Sequence, residues 1–130
     1  MRIALWVSIV MLADASMSPG VSAHHSATAS YEAARSIEIA GTVLEFSWKN
    51  PHCRISVNVS DGPFKGRAYT VEMSSPVVLT EEGWTRTTLH VGDSVVLHVH
   101  PSRAGAAVGL CRSCSLSING KAIKPQVLQN

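Results

Sequence analysis

The stretch "IEIAGTVLEFSW", Ile37 to Trp48, alternates like a β-strand but changes its apolar face partway. Ile37, Ile39, Gly41 and Val43 share one side, and Leu44, Phe46 and Trp48 share the other. An apolar set that switches near Val43–Leu44, beside a glycine, predicts one long strand with a bend or bulge. A long, bent first strand is typical of a small barrel in which that strand pairs on both flanks.

The chain downstream repeats the period of two. "CRISVNVS" (residues 53–60) sets Cys53, Ile55, Val57 and Val59 against Arg54, Ser56 and Asn58. "RAYTVEM" (residues 67–73) sets Tyr69, Val71 and Met73 against Thr70 and Glu72. "SSPVVLTEEGW" (residues 74–84) then reads as a short helix, with Ser75 as N-cap, Pro76 at the first helical position and Gly83 at the C-terminal end. "SVVLHVHP" (residues 94–101) is a fourth strand with Val95, Leu97 and Val99 inward. "LCRSCSLSING" (residues 110–120) reads as a fifth, closed by a tight turn. Three strands, a helix and two strands is the order of a five-stranded OB-like Greek-key barrel, an all-β fold. Closing the sheet hides the edges that five separate strands would expose. The competing architecture is a small β-sandwich.

Upstream, Met1 and Arg2 precede the apolar run Ile3–Ala13, too short to span a bilayer as a helix. "SPGVSA" follows, with Val21 and Ala23 at the −3 and −1 positions of a cleavage site. This predicts a signal peptide over residues 1–23, with Ala15 as the competing cut, and a periplasmic or secreted protein with no membrane attachment after processing. Residues 24–36 read as a polar arm, 37–124 as the barrel and 125–130 as a tail. The leader carries one base, Arg2, and one acid, Asp14, so processing leaves the net charge of +2 unchanged. That near-neutral balance supplies no basic stripe for phosphates, and aromatics at 5% supply few stacking platforms. Nucleic acid is therefore not an expected partner.

Several stretches together resemble a family of small exported bacterial proteins, the domain-of-unknown-function family 6152. They are "HHS" after the leader, "GTVLEFSWKNPH" (residues 41–52), "VEMSSPVVL" (71–79), "GWTRTTLHVGDSV" (83–95) and "HPSRAG" (100–105). The resemblance covers essentially the whole mature chain. It implies an exported single domain without an assigned activity, and this sequence departs from the family's pattern at Cys53, Cys111 and Cys114, where the family is expected to have no cysteines.

Histidine is the residue type that suggests chemistry. Cleavage after Ala23 would make His24 the first residue, and its α-amine and imidazole could then chelate one metal. His25 in second position would allow amine, amide and imidazole coordination. Both arrangements favour copper, which tops the divalent series for nitrogen donors. His52 follows the turn signal Asn50–Pro51 and is expected at the barrel rim, as a third ligand or as a turn residue bonded to backbone. Glu72 either completes a site beside His52 or is solvated. Trp48 is a candidate platform for a small ligand, and Trp84 a core residue. His98 and His100 share an outward face about 7 Å apart along a strand, a spacing that permits metal sharing but is common among exposed strand residues.

Three cysteines in an oxidising compartment allow one bridge. Cys111 and Cys114, placed three steps apart on an extended strand, would lie about 10 Å apart, too far for a disulfide unless the strand bulges. On that reading Cys111 is exposed, Cys114 is buried, and a Cys53–Cys114 bridge is possible. No nucleophile elbow, metalloprotease helix, phosphate loop or zinc-type cysteine pattern occurs. The expectation is a binding protein and not an enzyme: either a copper protein using His24, His25 and His52, or a metal-free module for a small ligand or protein partner around Trp48, His52 and Glu72.

Overall fold

The computed structural model describes residues 27–123. The barrel strands are β1 (Ile37–Ser47), β2 (Arg54–Val59), β3 (Ala68–Glu72), β4 (Ser94–Pro101) and β5 (Val108–Leu110). They follow the order β1-β2-β3-β5-β4, and β4 pairs back onto β1 to close the cylinder. All these pairings are antiparallel except β3 with β5. Two further strands, β6 (Leu116–Ile118) and β7 (Lys121–Ile123), form a hairpin that extends from β4. A short helix, α1 (Ala27–Ser30), precedes the barrel, and α2 (Pro76–Glu81) lies between β3 and β4. The expected five-stranded barrel and its inserted helix are both present.

The bend in the first strand makes closure possible. The register of β1 against β2 shifts between Val43 and Glu45. Leu44 and Glu45 both point outward there, and Phe46 turns back toward the core. Leu44 therefore leaves the apolar face assigned to it with Phe46 and Trp48, because the bulge adds one residue to the outside of the turn. Before the bulge β1 pairs with β4, and through it with β2, so Gly41 faces Val59 on one side and Val95 on the other. A Cβ at Gly41 would meet the Asn58 carbonyl oxygen and lie 2.8 Å from the Val57 side chain. Only glycine fits where two backbones approach this closely.

Inward residues of β2, β3 and β4 fill the barrel: Ile55, Val57, Tyr69, Val71, Leu97 and Val99 have no exposed surface. Leu79 of α2 and Trp84 just beyond it cover one side of this core. The helix ends are the ones expected. Ser75 accepts a hydrogen bond from the Val78 amide, Pro76 starts the helix, and Gly83 follows it at a φ of 85°. The Tyr69 hydroxyl is buried without a hydrogen-bond partner among the described residues, and burial pushes its phenol up to about 12.

The segment 110–120 departs from the single strand expected. β5 stops at Leu110, and the chain turns through Cys111–Cys114 before β6. Ser113 takes a φ of 55°, which folds the turn and brings the cysteine Cα atoms to 5.0 Å, and the two sulfurs are bonded. Cys111 is the buried member and Cys114 the half-buried one, the reverse of the extended-strand reading. The possible Cys53–Cys114 bridge is replaced: Cys53 is a free thiol with no exposed surface, and burial raises its pKa. Among the described residues no helix is long and apolar enough to cross a membrane.

Candidate functional site

His52 lies in the connection between β1 and β2, just after a cis Asn50–Pro51 peptide and two residues before β2. Glu72 is the last residue of β3, where the register places it opposite Arg54. The pairing of β2 with β3 thus sets the two chain segments side by side, and the His52 Nδ1 lies 2.7 Å from Glu72 Oε1. The other carboxylate oxygen accepts from the Tyr31 hydroxyl at 3.1 Å. The carboxylate can only accept, so the hydrogen of a neutral His52 ring sits on Nδ1 and Nε2 keeps its lone pair. A carboxylate bonded to one ring nitrogen in this way fixes the orientation of the imidazole.

Tyr31 brings the polar arm into the site. Its backbone bridges Ser102, and the Glu32 amide donates to the Pro101 carbonyl at 2.9 Å. Tyr31 is 8% exposed. Burial, and then the negative charge of Glu72, push the phenol up to about 12, so it remains a donor across the neutral range. Tyr31 was missed from sequence. It is the one large aromatic in a run of small and polar residues, and that contrast is the signal that could have found it.

A cleft of about 360 Å³ opens beside His52, lined also by Ser74, Ser75, Val78 and Arg112. The His52 and Glu72 side chains are 33% and 22% exposed, so the pair is half-sheltered and reachable. The Cys111–Cys114 turn forms one wall. It is tied to β3 by the Cys111 amide, which donates to the Glu72 carbonyl at 2.8 Å. Arg112 projects from this turn and makes no hydrogen bond or ion pair among the described residues.

The other sequence-derived candidates lie elsewhere. Trp48 does not line the cleft. It packs edge-on against Phe46 at 5.7 Å, in a group that includes Trp84. His98 faces Glu38 at 3.5 Å, and the His100 ring bonds the Arg35 carbonyl at 2.8 Å. His90 sits 3.8 Å from Asp93 in an exposed turn. His24 and His25 lie outside the described residues. Among the described residues, no three His, Cys, Asp or Glu side chains are gathered as a metal-binding group.

Residues 12–112 match the model of a family of unknown function, DUF6152. No curated protein matches the chain. The match spans most of the sequence, including β1 to β5 and the His52–Glu72 pair, and the chain belongs to DUF6152.

Proposed function

We propose that this is an exported copper-binding protein, not an enzyme. It is cut after Ala23, and the liberated His24 amine and imidazole, with His25, join His52 at the barrel rim. The observation that carries this reading is the chain Tyr31–Glu72–His52. It holds one imidazole by its Nδ1, leaves Nε2 as donor, and ties the arm to the same carboxylate. From Tyr31 back to His24 the chain reaches at most about 24 Å even when extended. Ala27–Ser30 is helical, which shortens that reach. A free α-amine with a pKa near ~8 can lose its proton to a metal at neutral pH. An all-nitrogen donor set suits copper above the other divalent ions.

The test begins with the mass of the processed protein. A chain starting at His24 supports the reading, and one starting at Ser16 removes it. Copper titration of the processed protein against His24→Ala and His52→Ala follows, with at least a tenfold loss of affinity expected in each. Equal affinity in wild type and His24→Ala would reject the proposal. The cleft beside His52 supports a second reading, a metal-free module for a small ligand. That reading requires a ligand whose affinity is unchanged by chelators.

A further inference from the structure

We propose that the cleft beside His52 is a site for a small oxyanion-bearing molecule, gripped by Arg112. Its lining points to an anion. Arg112 contributes a guanidinium that no carboxylate neutralises among the described residues. Ser74 and Ser75 contribute hydroxyl groups, and the Ser75 oxygen already accepts from the Val78 amide, so its hydrogen is free to donate. Glu72, the acid bonded to the cleft residue His52, already accepts from Tyr31 as well. A guanidinium matches a carboxylate or phosphate with two parallel hydrogen bonds, which a lysine in its place would not.

The disulfide gives the guanidinium a fixed origin. Arg112 stands inside the loop closed by Cys111 and Cys114, and that loop is pinned to Glu72 through the Cys111 amide. An arginine on an open turn would lose more freedom on binding than one on a covalently closed turn. The bridge therefore serves the site as well as the fold. Resting on the copper reading, one step more follows. Neutral nitrogen donors leave the charge of a divalent ion uncompensated, and Arg112 adds to it, so a bound anion would balance both.

The experiment titrates inorganic phosphate and succinate into metal-free, oxidised processed protein, followed by amide NMR. Saturable shifts at Ser74, Ser75 and Arg112 are expected for one or both. Affinity should fall at least tenfold in Arg112→Gln and stay unchanged in Lys121→Gln, a change on the distant β6–β7 hairpin. The Cys111→Ser/Cys114→Ser double variant should bind several-fold more weakly if folded, and Arg112→Gln carries the test alone if it is not. Equal affinity in Arg112→Gln and wild type, or shifts that never saturate, overturns the inference. No copper is present in this titration, so its failure is independent of the copper reading. In a second titration, prior loading with copper should tighten the anion. Unchanged anion affinity there would sink the charge-balance step alone.

Discussion

Two histidine–carboxylate pairs flank β4, and they are built for different work. In the turn before the strand, His90 stands 3.8 Å from Asp93, three residues away and largely exposed. Asp93 is occupied by its own turn. It accepts from the Asn119 side chain at 3.0 Å and from the His90 amide at 2.8 Å, and these bonds, the first above all, hold its carboxyl below the usual range. Asn119 in turn accepts from the Ser94 amide, so the cluster fastens β4 to the β6–β7 turn. Toward the other end of the strand, level with His100 across β5, Glu72 serves two side chains from distant parts of the sequence, His52 and Tyr31. The first carboxylate satisfies backbone and makes a turn. The second orients an imidazole at the wall of a cleft. Residue type does not separate a pair that fastens a turn from one that faces a cleft; the partners of the carboxylate do.

The largest expected effect tests the frame that both pairs share. Gly41→Ala should destabilise the protein by about 3–5 kcal/mol in denaturant melts, because the added Cβ collides with Asn58 backbone that belongs to the barrel seam. Both pairs should be lost together. A mild effect would mean that β1 can part from β2 without opening the barrel.

Glu72→Gln sharpens the contrast itself. A glutamine amide can keep a hydrogen bond to His52 but not the charge, so copper affinity should fall about 10–100-fold in calorimetry. Asp93→Asn should leave copper affinity unchanged. Equal copper losses in the two variants would erase the distinction.

The two tyrosines give a smaller pair of effects with opposite signs. Tyr31→Phe should destabilise by about 1 kcal/mol, having lost a hydrogen bond to a carboxylate. Tyr69→Phe should stabilise by about 1 kcal/mol, since its hydroxyl is buried with no partner among the described residues. Both phenols are pushed up to about 12 in the folded chain. The folded chain therefore keeps both phenols protonated where the unfolded chain ionises them, so stability is unaffected by either below the ordinary value of 10.0 and falls as pH rises from there through the folded value. Either variant should flatten alkaline denaturation above about pH 10. A steep alkaline loss in the Tyr31→Phe/Tyr69→Phe double variant would contradict this.

Asp93→Asn should have the smallest effect, confined to pH dependence. The Asp93 pKa is lowered in the folded chain, so its contribution is present above the unfolded value and fades as pH falls through the folded one. The variant should melt slightly lower than wild type at pH 7 and converge with it as pH falls below the ordinary carboxyl value and through the lower folded one. A gap that persists in acid would place the stabilisation elsewhere.

Much of the barrel was legible from single residues. The switch of faces in β1 marked the bulge, and Ser75, Pro76 and Gly83 marked α2, because caps and bends depend on neighbours within a few positions. The parallel pairing of β3 with β5 was not legible, since Thr70–Glu72 meets Val108–Leu110 only after the chain has passed through α2 and β4. His52 and Glu72 were each recognised as candidates, but only the register of β2 against β3 placed them in contact.

What sequence alone established is local: alternation, turn residues, helix ends and the apolar content of each strand. These follow from backbone sterics and burial, which act residue by residue and over short spans. The tertiary structure alone determined the pairings. Whether Cys111 meets Cys114 depends on one backbone angle at Ser113 that turns an extended span into a closed loop. Whether Tyr31 is a solvated arm residue or the second donor to Glu72 depends on closing a loop of forty-one residues. Long-range hydrogen bonds form where the folded barrel puts their groups within reach, and the sequence near either partner carries no mark of the other.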